Sequence, residues 1–283
     1  MIIETSFTDS KANPFLRWTG SKRWFVKEYL GNYLPSNFKN YHEPFLGGGA
    51  VFFHLKNNIK CDARKYFISD SNEDLINCYL QLRDNLKNVI AYLRQYINSE
   101  SEYYKIRDST SKSAAKNAAR FIYLNRTSFN GIYRVNSLGK YNVPYGWREN
   151  VDVITRTLLK QISVLLDGVN IKSRSFEKSL NKIKENDLVF IDPPYTVAHE
   201  NNGFIEYNQK LFSWDDQIKL KQYIEKIIEK KAYFILTNAS HESIYNLYSD
   251  VGNIDKLSRV SQVGGRNKTR GIFNELVVYN TKI

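Results

Sequence analysis

Short apolar and aromatic runs recur along the chain at Tyr66 to Ser69, Asp187 to Ile191, Ala232 to Thr237 and Phe273 to Tyr279, with helically spaced stretches between them. Strands alternating with helices predict a doubly wound α/β sheet. One helix can be read almost in full. Ser213 is an N-cap, Asp215 and Asp216 put negative charge in the first turn, and Ile218, Tyr223, Ile224, Ile227 and Ile228 repeat at helical spacing as far as Lys230 and Lys231.

From about Asn72 to Leu166 the pattern changes. Helical periodicity follows helical periodicity, over Asp74 to Leu93, Ser113 to Asn125 and Val151 to Leu166, without a buried strand. This predicts an insertion into the sheet domain. Between its last two helices, Phe129 to Trp147 is rich in Asn and Gly and runs to Val143-Pro144-Tyr145-Gly146, which predicts a hairpin-like loop.

Charge changes the picture more than bulk composition does. With 283 residues, 42% hydrophobic and 25% charged, the chain is expected to be a soluble globular protein. Its formal net charge is +12, which points to an acidic partner. From Ser109 to Arg148 there are seven basic residues (Lys112, Lys116, Arg120, Arg126, Arg134, Lys140, Arg148) and neither Asp nor Glu, with Phe121, Tyr123, Phe129, Tyr133, Tyr141, Tyr145 and Trp147 interleaved. Cations for phosphates beside aromatics for bases predict a nucleic-acid surface. Cys61 and Cys78 have no CxxC spacing, and His42, His54, His199 and His241 form no metal-ligand pattern, so neither a disulfide framework nor a metal site is expected. Met1 to Ser10 lacks a basic start followed by an apolar run, so a cytoplasmic location is expected, with no membrane partner.

Candidate chemistry gathers at the ends of predicted strands. His42-Glu43-Pro44-Phe45-Leu46-Gly47-Gly48-Gly49-Ala50 precedes an apolar helical run. A glycine cluster there is either a nucleotide-type loop or a plain tight turn, and it does not match GxGxxG. Asp70 closes the second strand, where an acid can accept hydrogen bonds from a ribose diol, and it can also cap the helix that follows. Asp192-Pro193-Pro194-Tyr195 is the most specific signal. Two prolines end the strand in a fixed extended path and leave a carboxylate and a phenol side by side at its carboxyl end. Gly20-Ser21-Lys22 is no phosphate loop, because the earlier glycine is missing and Arg23 stands where Ser or Thr is needed.

Asp-Pro-Pro-Tyr downstream of Pro-Phe-Leu-Gly-Gly-Gly resembles the amino-methyltransferases that act on DNA adenine. The order of parts is similar to the Dam-type, alpha-group DNA adenine-N6 methyltransferases: Pro14 to Arg23, then the glycine loop, then an inserted region, then Asp192 to Tyr195. Leu124-Asn125-Arg126, Phe129-Asn130-Gly131, Tyr133-Arg134-Val135-Asn136 and Tyr141 to Gly146 resemble the DNA-reading hairpin of GATC methylases. The resemblance covers essentially the whole chain. It implies a Rossmann-like methyltransferase sheet in which residues 1–72 and 167–283 bind S-adenosylmethionine and carry catalysis, with a mainly helical target-recognition domain at 73–166 bearing the hairpin.

Carried over residue by residue, the resemblance implies that Trp18, Lys22, Asp70, Phe176 and Asp192 contact S-adenosylmethionine and that Phe45, Gly47 and Gly49 line it. Asp192, Pro193 and Tyr195 would act on a flipped adenine. Arg126, Phe129, Asn130, Arg134, Asn136, Lys140 and Pro144 would meet duplex DNA, Arg134 as reader of guanine and Lys140 and Arg126 on phosphates. Lys22 as a plain surface lysine and Arg134 as one more phosphate contact are the alternatives. The chain departs from the family where Ser21 replaces a Gly and where Ser175 precedes Phe176 in place of an acid. The enzyme is expected to act as a monomer and without a metal. A zinc deaminase lacks its ligands here; a silent DNA-binding protein on the same fold, or an amino-methyltransferase of another motif or of RNA, stays open.

Overall fold

The computed structural model describes residues 12–58, 63–148, 156–196, 212–260 and 272–281. Cys61, His199 and the opening of the helix expected over 151–166 lie outside them. The described parts of Met1–Val26, Gly47–Asp62 and Glu73–Asp167 form one compact unit, and those of Lys27–Leu46, Ala63–Asn72 and Gly168–Ile283 form a second.

The second unit holds a seven-stranded sheet: β1 (Asn40–Glu43), β2 (Lys65–Asp70), β3 (Asn170–Ser173), β4 (Leu188–Ile191), β5 (Tyr233–Ala239), β6 (Asn253–Val260) and β7 (Ile272–Tyr279), in the order β3-β2-β1-β4-β5-β7-β6. The pairs β1–β2, β2–β3, β1–β4 and β4–β5 are parallel, and β7 runs antiparallel between β5 and β6. The chain order reverses between β1 and β4, so the carboxyl ends of these two strands flank a topological switch point, the place where open α/β sheets bind ligands. The expected doubly wound, Rossmann-like α/β class is the observed one.

β1, β3 and β6 carry no hydrophobic signal in the sequence. In β1 the polar side chains are themselves buried because they find partners: His42 Nε2 lies 2.8 Å from Asp187 Oδ2, and Tyr41 donates to Glu43 Oε2 at 2.7 Å. β3 and β6 are the two edge strands, which need an apolar face less than central strands do. One face of the sheet, with Val189, Ile191, Phe234, Leu236, Leu276 and Val278, packs in a core with α8 (Trp214–Glu229) and α9 (Glu242–Tyr248), given their places in chain order among the nine α-helices of the described residues. The N-terminus of α8 is as expected, a capping box of Ser213 and Asp216. Of its expected apolar stripe, Tyr223, Ile224 and Ile227 are buried, and Leu220 joins them. Ile218 and Ile228 are half-exposed, and Gln217 is buried instead, because its amide and carbonyl are both bonded.

The first unit is helical. After the short α1 (Arg23–Glu28), which begins in it, come α2 (Ala50–Lys56), α3 (Glu73–Asp84), α4 (Leu86–Leu93), α5 (Glu100–Asp108), α6 (Ala114–Thr127) and α7 (Arg156–Leu165). The single helix expected over Asp74 to Leu93 is two. Asn85 interrupts it at φ −135°, ψ 32°, with its side chain on Gln81, in keeping with the weakness of Asn inside helices. α5 was not foreseen. α6 begins at its Ser113 cap, whose hydroxyl accepts from the Lys116 amide.

Candidate functional site

In the second unit, β4 delivers the chain to Asp192-Pro193-Pro194-Tyr195 at its carboxyl end. The in-register partners Ile191 and Leu236, and Leu236 and Val278, all belong to the core face. Strand alternation therefore turns Asp192, Thr237 and Glu275 to the opposite face, Glu275 pairing with Ala239, two residues beyond Thr237. Thr237 donates to Asp192 Oδ1 at 2.8 Å, and the Tyr195 phenol donates to Glu275 Oε2 at 2.6 Å. Thr237 and Glu275 are buried, at 0% and 1% exposure. The next residue, Thr196, donates to the Phe212 carbonyl and accepts from Gln217 Nε2; Gln217 Oε1 in turn accepts from Asn238 and Tyr248. The motif is thus fastened to β5, β7 and α8 by hydrogen bonds to side chains.

Asp70 ends β2, and its Oδ1 accepts the Asn72 amide at 3.0 Å. It forms the turn into α3 without being the residue next to the first helical turn, since α3 opens at Glu73. The Asp70 carbonyl accepts from the Arg174 amide. Phe45 stacks on Phe176 with ring centroids 5.3 Å apart and meets Phe212 edge-on at 5.8 Å. Ser175 is exposed and makes no capping bond with its side chain.

In the first unit the glycine loop has a reason the sequence did not reveal. A Cβ on Gly47 (φ +48°) would stand 2.7 Å from Trp18 Nε1, and one on Gly48 would stand 2.9 Å from Trp18 Cβ. The indole itself needs the glycines. Trp18 also stacks on Tyr133 at 5.9 Å, and Tyr133 lies 5.4 Å from Phe121. Lys22 is 4% exposed, with its ammonium donating to the Gly20 carbonyl, so the surface-lysine alternative falls. Asn125, buried in α6, binds both backbone groups of Arg17 and the Gly131 carbonyl.

Phe129 to Trp147 is hairpin-like, as expected. Isolated antiparallel bridges join Ser128 to Tyr145 and Val135 to Tyr141, and backbone bonds run from Asn142 to Arg134 and from Asn136 to Lys140. The Asn136 side chain accepts from the Leu138 and Lys140 amides, which shapes the tip. Burial pushes the Tyr141 phenol up to about 12; it donates to the Ile132 carbonyl at 2.7 Å. Phe129, Asn130, Arg134, Asn136, Lys140 and Pro144 are exposed. Arg134 Nε donates to Asn142 Oδ1 at 2.9 Å across the hairpin. Two of the seven cations of this stretch also brace the unit: Arg126 donates to the Phe15 carbonyl, and Arg120 donates to the last carbonyls of α5 at Ile106 and Arg107.

Sequence reasoning missed Thr237, Glu275 and Asn125 as parts of these arrangements. Glu275 had a signal: an acid amid Leu276, Val277 and Val278 in a strand is a buried charge in want of a partner. Among the described residues there is no group of three or more His, Cys, Asp or Glu able to hold a metal, and no helix long and apolar enough to cross a membrane.

The comparisons with known proteins agree with this chemistry. The family of D12 class N6 adenine-specific DNA methyltransferases matches residues 18–262. The chain is 36% identical over 279 residues to the type II methyltransferase M1.LlaDCHI of Lactococcus lactis subsp. cremoris, covering 94% of this chain and 95% of that protein. It is 34% identical over 291 residues to the type II methyltransferase M.MjaIII of Methanocaldococcus jannaschii, covering 95% and 99%. It is 26% identical over 234 residues to the DNA adenine methylase of Escherichia coli K12, covering 81% of each. A methyltransferase of this kind implies S-adenosylmethionine as the methyl donor. The chain belongs to the D12 class N6 adenine-specific DNA methyltransferases, enzymes that act on DNA.

Proposed function

We propose that this enzyme methylates N6 of adenine within GATC on duplex DNA and takes the adenine out of the helix to do so. The observation that carries the reading is the Asp192-Pro193-Pro194-Tyr195 turn at the carboxyl end of β4, fastened through Thr237 and Glu275. Adenine's amino nitrogen is a poor nucleophile because its lone pair is delocalised into the ring. The Asp192 carboxylate and the Pro193 carbonyl, accepting from the two amino hydrogens, draw the nitrogen towards the pyramidal geometry in which the lone pair is available. Tyr195 stacks on the ring and holds its plane. Extrusion costs a few kcal/mol, which stacking offsets, and Phe129 is the side chain assigned to the vacated gap.

The second unit suits S-adenosylmethionine: the Phe45 and Phe176 rings offer an apolar wall for an adenine, and Asp70 offers a carboxylate for a ribose. S-adenosylmethionine supplies a sulfonium-activated methyl and needs no metal. Trp18, Lys22, Gly47 and Gly49 keep their assignment as cofactor contacts on the strength of the resemblance. On the DNA side, Arg134 is assigned to guanine, because the Nη1 and Nη2 pair can donate to O6 and N7 together, an arrangement no other base accepts. Asn142 accepts from Nε and, at 3.4 Å, from Nη2, and so holds the guanidinium on the hairpin. Arg126, Asn130, Asn136, Lys140 and Pro144 complete the assigned DNA contacts.

Long-read sequencing of DNA treated with enzyme and cofactor tests this, with Asp192→Ala as the control. The wild type is expected to leave N6-methyladenine in GATC, and the control to bind DNA near normally while leaving none. Methylation of another motif would refute the GATC assignment alone. A control that retains most of its turnover would refute the role of Asp192.

A further inference from the structure

Tyr195 does more than a stacking surface requires. A phenylalanine would offer the same ring, yet here the phenol oxygen lies 2.6 Å from Glu275 Oε2, and that carboxylate is buried to 1% exposure in the middle of β7. Burying a carboxylate is expensive unless hydrogen bonds compensate, so the position is costly to keep for packing alone. A hydrogen bond from a hydroxyl to a carboxylate is short, directional and stronger than a neutral one. It joins the turn after β4 to a strand two places away in the sheet, since β5 lies between β4 and β7. The register makes the join stiff: Glu275 pairs with Ala239 and, on its other side, with Leu257, so its backbone is held by both neighbours. Thr237, two residues before Ala239 and on the same face of β5, holds the Asp192 carboxylate. The two ends of the motif are therefore tied to adjacent strands.

We propose that Glu275 is a positioning residue for methyl transfer, fixing the Tyr195 ring through its phenol so that the adenine stacked on it presents its amino group to Asp192. The proposal rests on the reading that Tyr195 stacks on the target adenine. It adds that the phenol oxygen, not the ring alone, sets the rate, and that Glu275 acts on the rate through that oxygen. Glu275→Gln keeps an acceptor of nearly the same shape and loses the charge; Glu275→Ala removes the acceptor; Tyr195→Phe removes the donor and keeps the ring.

The test is a double-mutant cycle read by single-turnover methylation at saturating DNA and cofactor. It is accompanied by the fluorescence of 2-aminopurine placed at the target adenine and by a melting curve for each protein. Tyr195→Phe and Glu275→Ala are each expected to lower the single-turnover rate about tenfold, the loss of one charge-assisted bond. Tyr195→Phe/Glu275→Ala is expected to be no slower than either single variant. Glu275→Gln is expected to recover part of the rate, and the KM for DNA to stay near the wild type. 2-Aminopurine is expected to remain extruded but less quenched in Tyr195→Phe. Losses that multiply in the double variant, or a Tyr195→Phe enzyme at the wild-type rate, would overturn the proposal. If Glu275→Ala does not fold, the pair Tyr195→Phe and Glu275→Gln decides alone: a Tyr195→Phe/Glu275→Gln enzyme no slower than Tyr195→Phe supports the proposal, and a further loss on adding Glu275→Gln to Tyr195→Phe overturns it. A Tyr195→Ala enzyme that methylates at the wild-type rate would instead remove the stacking reading beneath it.

Discussion

Asp70 shows how one side chain can hold two assignments. Its Oδ1 accepts the Asn72 amide and makes the turn from β2 into α3, a local role any Asx turn fills. Its place at the carboxyl end of β2 supports the second, proposed assignment, acceptor for a ribose hydroxyl. The two are separable by measurement. Asp70→Ala is expected to weaken S-adenosylmethionine binding by about 1.5–3 kcal/mol, the value of a hydrogen bond to a charged group, and to leave the methylated sequence unchanged. Calorimetric titration of the cofactor gives the answer; an unaltered Kd would leave Asp70 as a turn former only. Gly47 is the opposite case. Its positive φ and the Trp18 ring 2.7 Å from a would-be Cβ specify glycine for packing inside the first unit.

At the scale of elements, α8 and the hairpin lend themselves to sharp expectations. The capping box of α8 has Asp216 accepting from the Ser213 amide and hydroxyl, and these bonds hold its carboxyl below the usual range. A carboxyl lowered in the folded state stabilises the protein above its unfolded pKa, and that stability is lost as pH falls through the folded value. Asp216→Asn is therefore expected to cost about 1 kcal/mol near neutral pH. The gap to wild type is expected to close as pH falls through and below the ordinary carboxylate range. Denaturant unfolding at a series of pH values measures it; a gap that stays constant would mean that the charge is irrelevant to the cap. In the hairpin, Arg134 and Lys140 are both exposed cations and differ in assigned role. Arg134→Ala is expected to methylate sites altered at one G·C pair almost as well as GATC, with discrimination down by about 1–3 kcal/mol. Lys140→Ala is expected to weaken binding evenly across sequences and to lower the salt slope by about one. Equal behaviour of the two variants would make Arg134 another phosphate contact.

Across the whole molecule, the charge of +12 and the acid-free stretch from Ser109 to Arg148 favour a polyanion. The structure shows that this stretch also builds its own unit: Arg120 closes α5 and Arg126 braces the Phe15 carbonyl. Total charge is additive and so readable from composition. How each cation is spent depends on which carbonyl lies within reach.

The chain alone determined the features whose physics is local. Ser213 and Ser113 cap helices because a hydroxyl meets an amide three residues on, Asp192-Pro193-Pro194 ends β4 because proline cannot continue a ladder, and the Asn- and Gly-rich Phe129 to Trp147 turns back on itself. The same locality made the expected helix over Asp74 to Leu93 too long, since Asn85 shifts the balance only slightly in a window dominated by apolar periodicity. Tertiary structure alone decided what depends on distant partners. β1 is a central strand of polar residues, buried because Asp187 waits for His42 and Glu43 for Tyr41. Gln217 rather than Ile218 faces inward on α8 because Thr196, Asn238 and Tyr248 use both ends of its amide. Tyr195 meets Glu275 across eighty residues because β7 inserts antiparallel beside β5, and a hydrogen bond at that separation leaves no periodicity in the sequence by which to find it.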